Sequence, residues 1–215
     1  MGLQPIVFPD TTLDKPEAAE DVAAYLACWS DILVVRHREL SVVEGLAATQ
    51  TLPVVNAMTS VNHPCEVLSD LSSLRQRGEI SSLRFLFIGP DGNISRAWQE
   101  AARALRLEVT QCCPEGLATP GAVWTDDLET ALRSADVILT DDPGPHADAL
   151  APFQVTAALL DLAPRGARFV PCPPFVRGRE VSADALMHDA FVGHRFKSSL
   201  LPVQQAIMAS CLGLA

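Results

Sequence analysis

Four stretches of the chain carry side chains able to hold or move charge. His63-Pro64-Cys65-Glu66-Val67-Leu68-Ser69-Asp70 sets an imidazole and carboxylates at a proline-marked helix entrance, although a His-Pro pair there also serves as a plain turn or capping feature. Gly89-Pro-Asp-Gly92 followed by Asn93 reads as a strand-to-helix turn in which the asparagine either caps the helix or faces a ligand. It lacks the Gly-x-Gly-x-x-Gly spacing of a dinucleotide site. Asp141 closes Ala135-Asp-Val-Ile-Leu-Thr140-Asp141, and a carboxylate at a strand's carboxyl end suits an ammonium, because charge-assisted hydrogen bonds are stronger than neutral ones. Cys172 ends a further apolar run. With no histidine beside it in sequence to lower its pKa, a buried, inert thiol fits the same residue.

The elements that must position these residues follow one another as short β-type runs and helix-type segments almost from end to end. That alternation yields a parallel sheet covered by helices on both faces. The predicted class is α/β, a doubly wound parallel sheet with a truncated first α/β domain. In that first layer a brief strand at 6–8 precedes a helix over 16–29, with Val22, Tyr25, Leu26 and Trp29 at helical spacing. A buried strand at 31–36 follows, then a helix opened by the capping box Ser41-Val-Val-Glu44 and running to about residue 50, then a strand at 52–55. A helix from 63 or 64 to about 77 leads into the second series. There the pattern predicts strands at 83–88, 107–112, 136–140 and 168–172, and helices at 94–105, 126–134 and 147–160. An amphipathic helix at 199–213, with Pro202 in its first turn, ends the chain. The expected division is 1–62, 63–196 and 197–215, the last being a helix that returns to the first domain.

Bulk properties narrow the partners. A chain of 215 residues, 48% apolar, is long enough to bury a substantial core. Its net charge of −10 provides no basic stripe for nucleic acid, so any anionic substrate needs a local cationic site. The apolar runs are strand-sized, far short of the roughly 18 residues of a membrane span, and residues 1–10 lack the pattern of a secretion signal. A cytoplasmic protein with no membrane anchor is expected. The six cysteines form no Cys-x-x-Cys pair, so reduced thiols, no structural metal and no cofactor are expected.

Taken in order, these stretches resemble the aspartate/ornithine carbamoyltransferase family, its ornithine branch in particular. His63 to Asp70 looks like His-Pro-x-Gln-x-Leu-x-Asp, with Glu66 at the glutamine. Asp31-Ile-Leu-Val-Val-Arg36 matches a strand-terminal arginine. Gly89-Pro-Asp-Gly-Asn93 is similar to Val-Gly-Asp-Gly-Asn-Asn, Asp141 to the end of Ala-Asp-Val-x-Tyr-Thr-Asp, and Cys172 to Arg177 to His-Cys-Leu-Pro-x-His-Arg. The resemblance implies that Arg36 and Arg177 grip carbamoyl phosphate, that His63 and Cys172 polarise the carbamoyl group, and that Asn93 and Asp141 hold an amino acid. Lys15, in Lys15-Pro16-Glu17, resembles a lysine that reaches a neighbouring subunit, and is equally a solvated surface pair. The family is oligomeric, so a homo-oligomer, or a hetero-oligomer with a chain carrying the rest of the first domain, is expected.

Several family features differ here. No Ser-x-Arg-Thr-Arg phosphate loop occurs in residues 1–215, the family's second phosphate arginine is Leu200, the histidine before the cysteine is Pro171, and the loop after Asp141 is Asp142-Pro-Gly-Pro-His146. An ionised Glu66 also repels a dianion unless protonated or paired. These departures argue against carbamoyl phosphate as a ligand of this chain alone. Three functions stand open. They are carbamoyl transfer to an amine with a partner supplying the phosphate loop, a diverged enzyme of amino-acid or specialised-metabolite biosynthesis that uses Glu66, His63 or Cys172 without carbamoyl phosphate, and a non-catalytic binding or regulatory subunit.

Overall fold

The computed structural model describes residues 2–214, and the chain forms two parallel α/β layers joined by one helix. In the first layer α1 (Ala19–Leu26), β1 (Leu33–Arg36), α2 (Leu40–Ala48) and β2 (Val54–Met58) alternate, and β1 pairs in parallel with β2, Leu33 opposite Val54. Side chains alternate across a strand, so Leu33 and Val35 meet Ala23, Leu26, Val43 and Leu46 on the helix side. Val34, on the other face, is 55% exposed.

Local chemistry moves three expected boundaries in this layer. Residues 6–8 form no strand, and Ile6 and Val7 are exposed; extended residues without a partner gain no ladder hydrogen bonds. The first helix covers only part of 16–29: residues 15–18 run before it with Ala18 extended, and 27–29 are turn. Ser41 lies inside α2, whose first cap is Glu39. The His37 ring secures that end instead, Nδ1 accepting from the Glu39 N–H at 3.0 Å while Nε2 meets Asp14 at 3.1 Å.

From α3 (Pro64–Arg75) the chain enters a five-stranded, all-parallel sheet. Its strands are β3 (Arg84–Ile88), β4 (Glu108–Cys112), β5 (Val123–Thr125), β6 (Val137–Thr140) and β7 (Arg168–Pro171), in the order β5-β4-β3-β6-β7. This is the doubly wound α/β arrangement the sequence pattern predicts. α4 (Asn93–Leu105) and α3 cover one face, where Phe85 and Phe87 pack with Trp98, Val67, Leu71 and Leu74. α5 (Leu128–Leu132) and α7 (Ala157–Leu160) cover the other, over Leu86, Ile88, Ile138 and Phe169.

Two elements here differ from expectation. β5 is three residues long and mostly exposed, too short to leave a periodic signal. The predicted helix over 147–160 breaks into α6 (Ala147–Leu150), a 3₁₀ turn (Ala151–Phe153) and α7. Pro152 has no N–H to continue the ladder, and Thr156 caps α7 by accepting from the Leu159 N–H.

After β7 the chain returns through a 3₁₀ strap (His194–Ser199) into α8 (Leu200–Cys211), which packs on α3 and β2. Pro202 stands in the first turn of α8, where its missing N–H costs nothing.

The sheet reverses its direction of winding at β3 and β6, the place where open α/β sheets bind ligands. The turn leaving β3 is firmly braced. Gly89 holds φ at +155°, and a Cβ there would come within 3.1 Å of the Phe87 ring. Buried Gln111 donates to the Gly89 carbonyl at 2.9 Å and accepts from the Thr119 N–H at 2.9 Å. Ser95 Oγ accepts from the Gly92 N–H at 2.8 Å, and Asp91 takes both arms of Arg96. Gln111→Leu leaves the Gly89 carbonyl and the Thr119 N–H buried without partners. It is expected to cost about 2–4 kcal/mol in urea denaturation, and a loss under about 1 kcal/mol would refute the brace.

Candidate functional site

Register brings the strand ends together. Ile88 pairs with Thr140 and Thr140 with Pro171, so the Gly89 turn, Asp141 and Cys172 leave adjacent strands side by side. The Cys172 N–H donates to the Thr140 carbonyl at 3.0 Å. The amino end of α3 faces this row: the carboxylates of Asp141, Glu66 and Asp70 all act on the Cys172 thiol, as does the ammonium of Lys197.

Lys197, in the strap before α8, is the residue that sequence reasoning missed. Its Nζ donates to Glu66 Oε1 at 2.7 Å and to Asp70 Oδ1 at 2.6 Å. All three side chains are largely shielded from water. Burial pulls the lysine pKa down, but the two carboxylates outweigh it and the net shift is upward. For Asp70 burial prevails over the lysine and lifts the carboxyl to about 6.

The signal for this cation lies in α3. Glu66, Ser69, Asp70 and Ser73 recur at i, i+3, i+4 and i+7 and are all buried, making a polar stripe that faces the strap. Ser73 Oγ donates within this contact, to the Phe196 carbonyl or to Ser199 Oγ, both at 2.7 Å. A helix already burying Val67, Leu71 and Leu74, with two carboxylates on a second buried face, requires a partner cation.

The other expected residues divide. His63 stands at the head of α3 with Nδ1 buried and unbonded; burial lowers its pKa, Glu66 acts against that, and Arg36 and Lys197 reinforce it. The ring is therefore held toward its neutral form. Asn93 is not the helix cap, which is Gly92. Its amide donates to the Thr59 carbonyl at 2.9 Å and ties the β3 turn to the first layer. Arg36 is exposed at the end of β1 and lines, with Thr59 and Asn93, an open groove of about 1040 Å³.

Asp141 borders a cavity of about 20 Å³ that Glu180 also lines, room for one water-sized group. Glu180 is buried and spends Oε1 on the Val176 N–H at 2.8 Å, while its Oε2 has no partner. Burial raises the Cys172 thiol pKa far above the ordinary range, with Asp141 adding to it, so the thiol is a neutral S–H and not a nucleophilic thiolate.

Arg177 is exposed, with no side-chain bond among the described residues. Its neighbour Arg179 instead braces the loop after Asp141, reaching Asp142 at 3.2 Å and the Gly144 carbonyl at 2.8 Å. Lys15 borders a separate cleft with Thr12, Glu17 and Ser41. Leu200, one turn after Lys197, begins α8 without charge. Among the described residues no cluster of His, Cys, Asp and Glu is arranged for a metal, and no helix is long and apolar enough to cross a membrane.

Known proteins share both layers. The family model for the aspartate/ornithine carbamoyltransferase carbamoyl-P binding domain matches residues 1–76, and that for the Asp/Orn binding domain matches residues 81–211. The ornithine carbamoyltransferase of Desulfotalea psychrophila is 30% identical over 227 residues, covering 95% of this chain and 75% of that protein. That of Nitrobacter winogradskyi is 32% identical, covering 94% and 72%. Among solved structures, ornithine carbamoyltransferase from Burkholderia thailandensis superimposes with a TM-score of 0.86 at 29% identity, covering 95% of this chain and 73% of that one. The Pyrococcus furiosus enzyme gives 0.86 at 26% identity, covering 94% and 73%.

The buried carboxylates have a measurable signature. Burial raises the Asp141 carboxyl from 3.8 to about 6, with repulsion from Asp142, Glu180 and Glu66 adding to it. A pKa higher in the folded state means that the folded chain binds the extra proton. This contribution is therefore full below the unfolded value and is lost as pH rises through about 6. Asp141→Asn is expected to stabilise the fold by about 2–3 kcal/mol at about pH 8 and to change little at about pH 4. Thermal unfolding at both pH values checks this; equal effects at both would contradict it.

Proposed function

Because the chain belongs to the aspartate/ornithine carbamoyltransferase family, we propose that it binds an amino-acid-like amine at the β3/β6 switch point. The amine is presented there to a carbamoyl group, or a similar carbonyl carbon, lying between the head of α3 and the end of β7. The observation that supports the reading is that Asp141 and Cys172 leave adjacent strands beside the braced Gly89 turn, with Glu66 close enough for its charge to act on both and on His63.

Each group has a chemical part. Asp141 accepts the hydrogen bonds of a substrate ammonium, which adds a cationic partner to a partly buried carboxylate. Asn93, whose NH₂ is spent on Thr59, offers its side-chain oxygen. His63 in its neutral form donates one N–H toward a carbonyl oxygen, and the Cys172 S–H adds a weak donor without bearing charge. Glu66, with one oxygen on Lys197, keeps the other to accept from a carbamoyl NH₂. The amine attacks the carbonyl carbon as the free base. As the C–N bond forms, the bond from that carbon to the leaving group breaks (the C–O bond to phosphate when the donor is carbamoyl phosphate). The leaving group takes the electron pair, and the proton the amine sheds leaves by the Asp141 side.

Ornithine, the acceptor named in the relatives, is the first amine to test. Calorimetric titration is expected to show binding that strengthens as pH rises through about 6, where Asp141 ionises. Asp141→Asn should weaken it by about 10- to 100-fold. Formation of a ureido product from ornithine and carbamoyl phosphate is the companion assay. Absence of binding by ornithine, lysine and a diamine alike, together with no effect of Asp141→Asn, would overturn the reading.

A further inference from the structure

The crevice contains a cation that is already committed. The charge of Lys197 acts on the Cys172 thiol together with those of three carboxylates, Asp141, Glu66 and Asp70. Two of its three N–H donors are occupied, at 2.7 Å and 2.6 Å. A phosphoryl dianion entering beside it would compete with two fixed carboxylates at contact distance, in a place too shielded for water to screen them. A neutral carbonyl oxygen needs only the remaining N–H and leaves the ion pairs intact. An amine is attracted by the surplus of negative charge.

We propose that Lys197 is a specificity-determining residue. Clamped between Glu66 and Asp70, it withholds its charge from phosphate and sets the crevice to accept neutral carbonyl groups and cationic amines. This rests on the amine-binding reading above and deepens it, because it names what the carbonyl side of the site excludes. Glu66 is central to the device: a neutral amide at that position would leave Lys197 with one carboxylate and a free share of charge.

The test frees the lysine and asks what it then binds. Inorganic phosphate and carbamoyl phosphate are titrated, by calorimetry and phosphorus NMR, into the wild type, E66Q, E66Q/D70N and E66Q/D70N/K197M. The triple variant replaces all three charges with neutral groups of similar size, so it separates loss of charge from loss of fold, which circular dichroism checks. Phosphate affinity in E66Q/D70N is expected to exceed the wild type's by at least about tenfold. E66Q, which keeps the Asp70 contact, should gain less, and the gain should vanish in the triple variant.

Wild-type affinity equal to that of E66Q/D70N would overturn the proposal, as would a gain that survives removal of Lys197 and so belongs to other cations such as Arg36. Should E66Q/D70N not fold, E66Q decides alone: tighter phosphate binding than the wild type's supports the proposal, and equal binding overturns it. Amine titration of the wild type runs in parallel. Amine binding with no phosphate gain defeats this inference alone, whereas loss of amine binding defeats the reading beneath it.

Discussion

One ammonium shared by two carboxylates joins the beginning of the second layer to the end of the chain. Removing water from Glu66 and Asp70 carries a penalty of several kcal/mol per ion, offset only when geometry supplies short, direct partners. Lys197 supplies them, and Ser73 secures the strap on either side of it. Through this contact α3, which carries His63 into the crevice, is fixed against the segment that leads into α8. The placement of His63 and Glu66 therefore depends on a residue that belongs to neither strand end nor helix head. An apolar stripe at the same four positions would pack the strap equally well; only the charged version also shapes the field around Cys172.

That field explains why stability and function pull apart here. Asp141 and Asp70 both rest near pKa 6 because burial disfavours their charged forms. Glu180 is buried with an oxygen unbonded, and His63 has a ring nitrogen in the same condition. Such groups are costly in a free protein and useful once a ligand satisfies them. The surrounding sheet bears the cost: two cores, one on each face, hold β3 and β6 in register and so fix the row of side chains at their carboxyl ends.

Much of this was legible in the residues. Alternation of strand and helix runs predicts the parallel sheet, and its strand ends predict where Asp141 and Cys172 stand. The helix expected from 63 or 64 begins at Pro64. Local signals failed where another force decided. Residues 6–8 have the composition of a strand but no neighbour to bond with, and the 147–160 helix is cut by Pro152. Asn93, read as either a cap or a ligand contact, donates an amide N–H to Thr59 in the other layer. Lys197 is the extreme case, since nothing in its own neighbourhood marks it. Only the buried carboxylate pair on α3 implies that such a residue exists.

The separation of these partners has a kinetic side. Glu66 and Lys197 are 131 residues apart in the chain. A ribosome delivers α3 long before the strap, so for most of synthesis both carboxylates of that stripe have water as their only counterpart. The face of α3 that bears them cannot commit to burial until the last helix emerges, whereas the opposite face, with Val67, Leu71 and Leu74, can collapse onto β3 at once. The contact around Glu66 accordingly closes only once the strap that bears Lys197 has emerged.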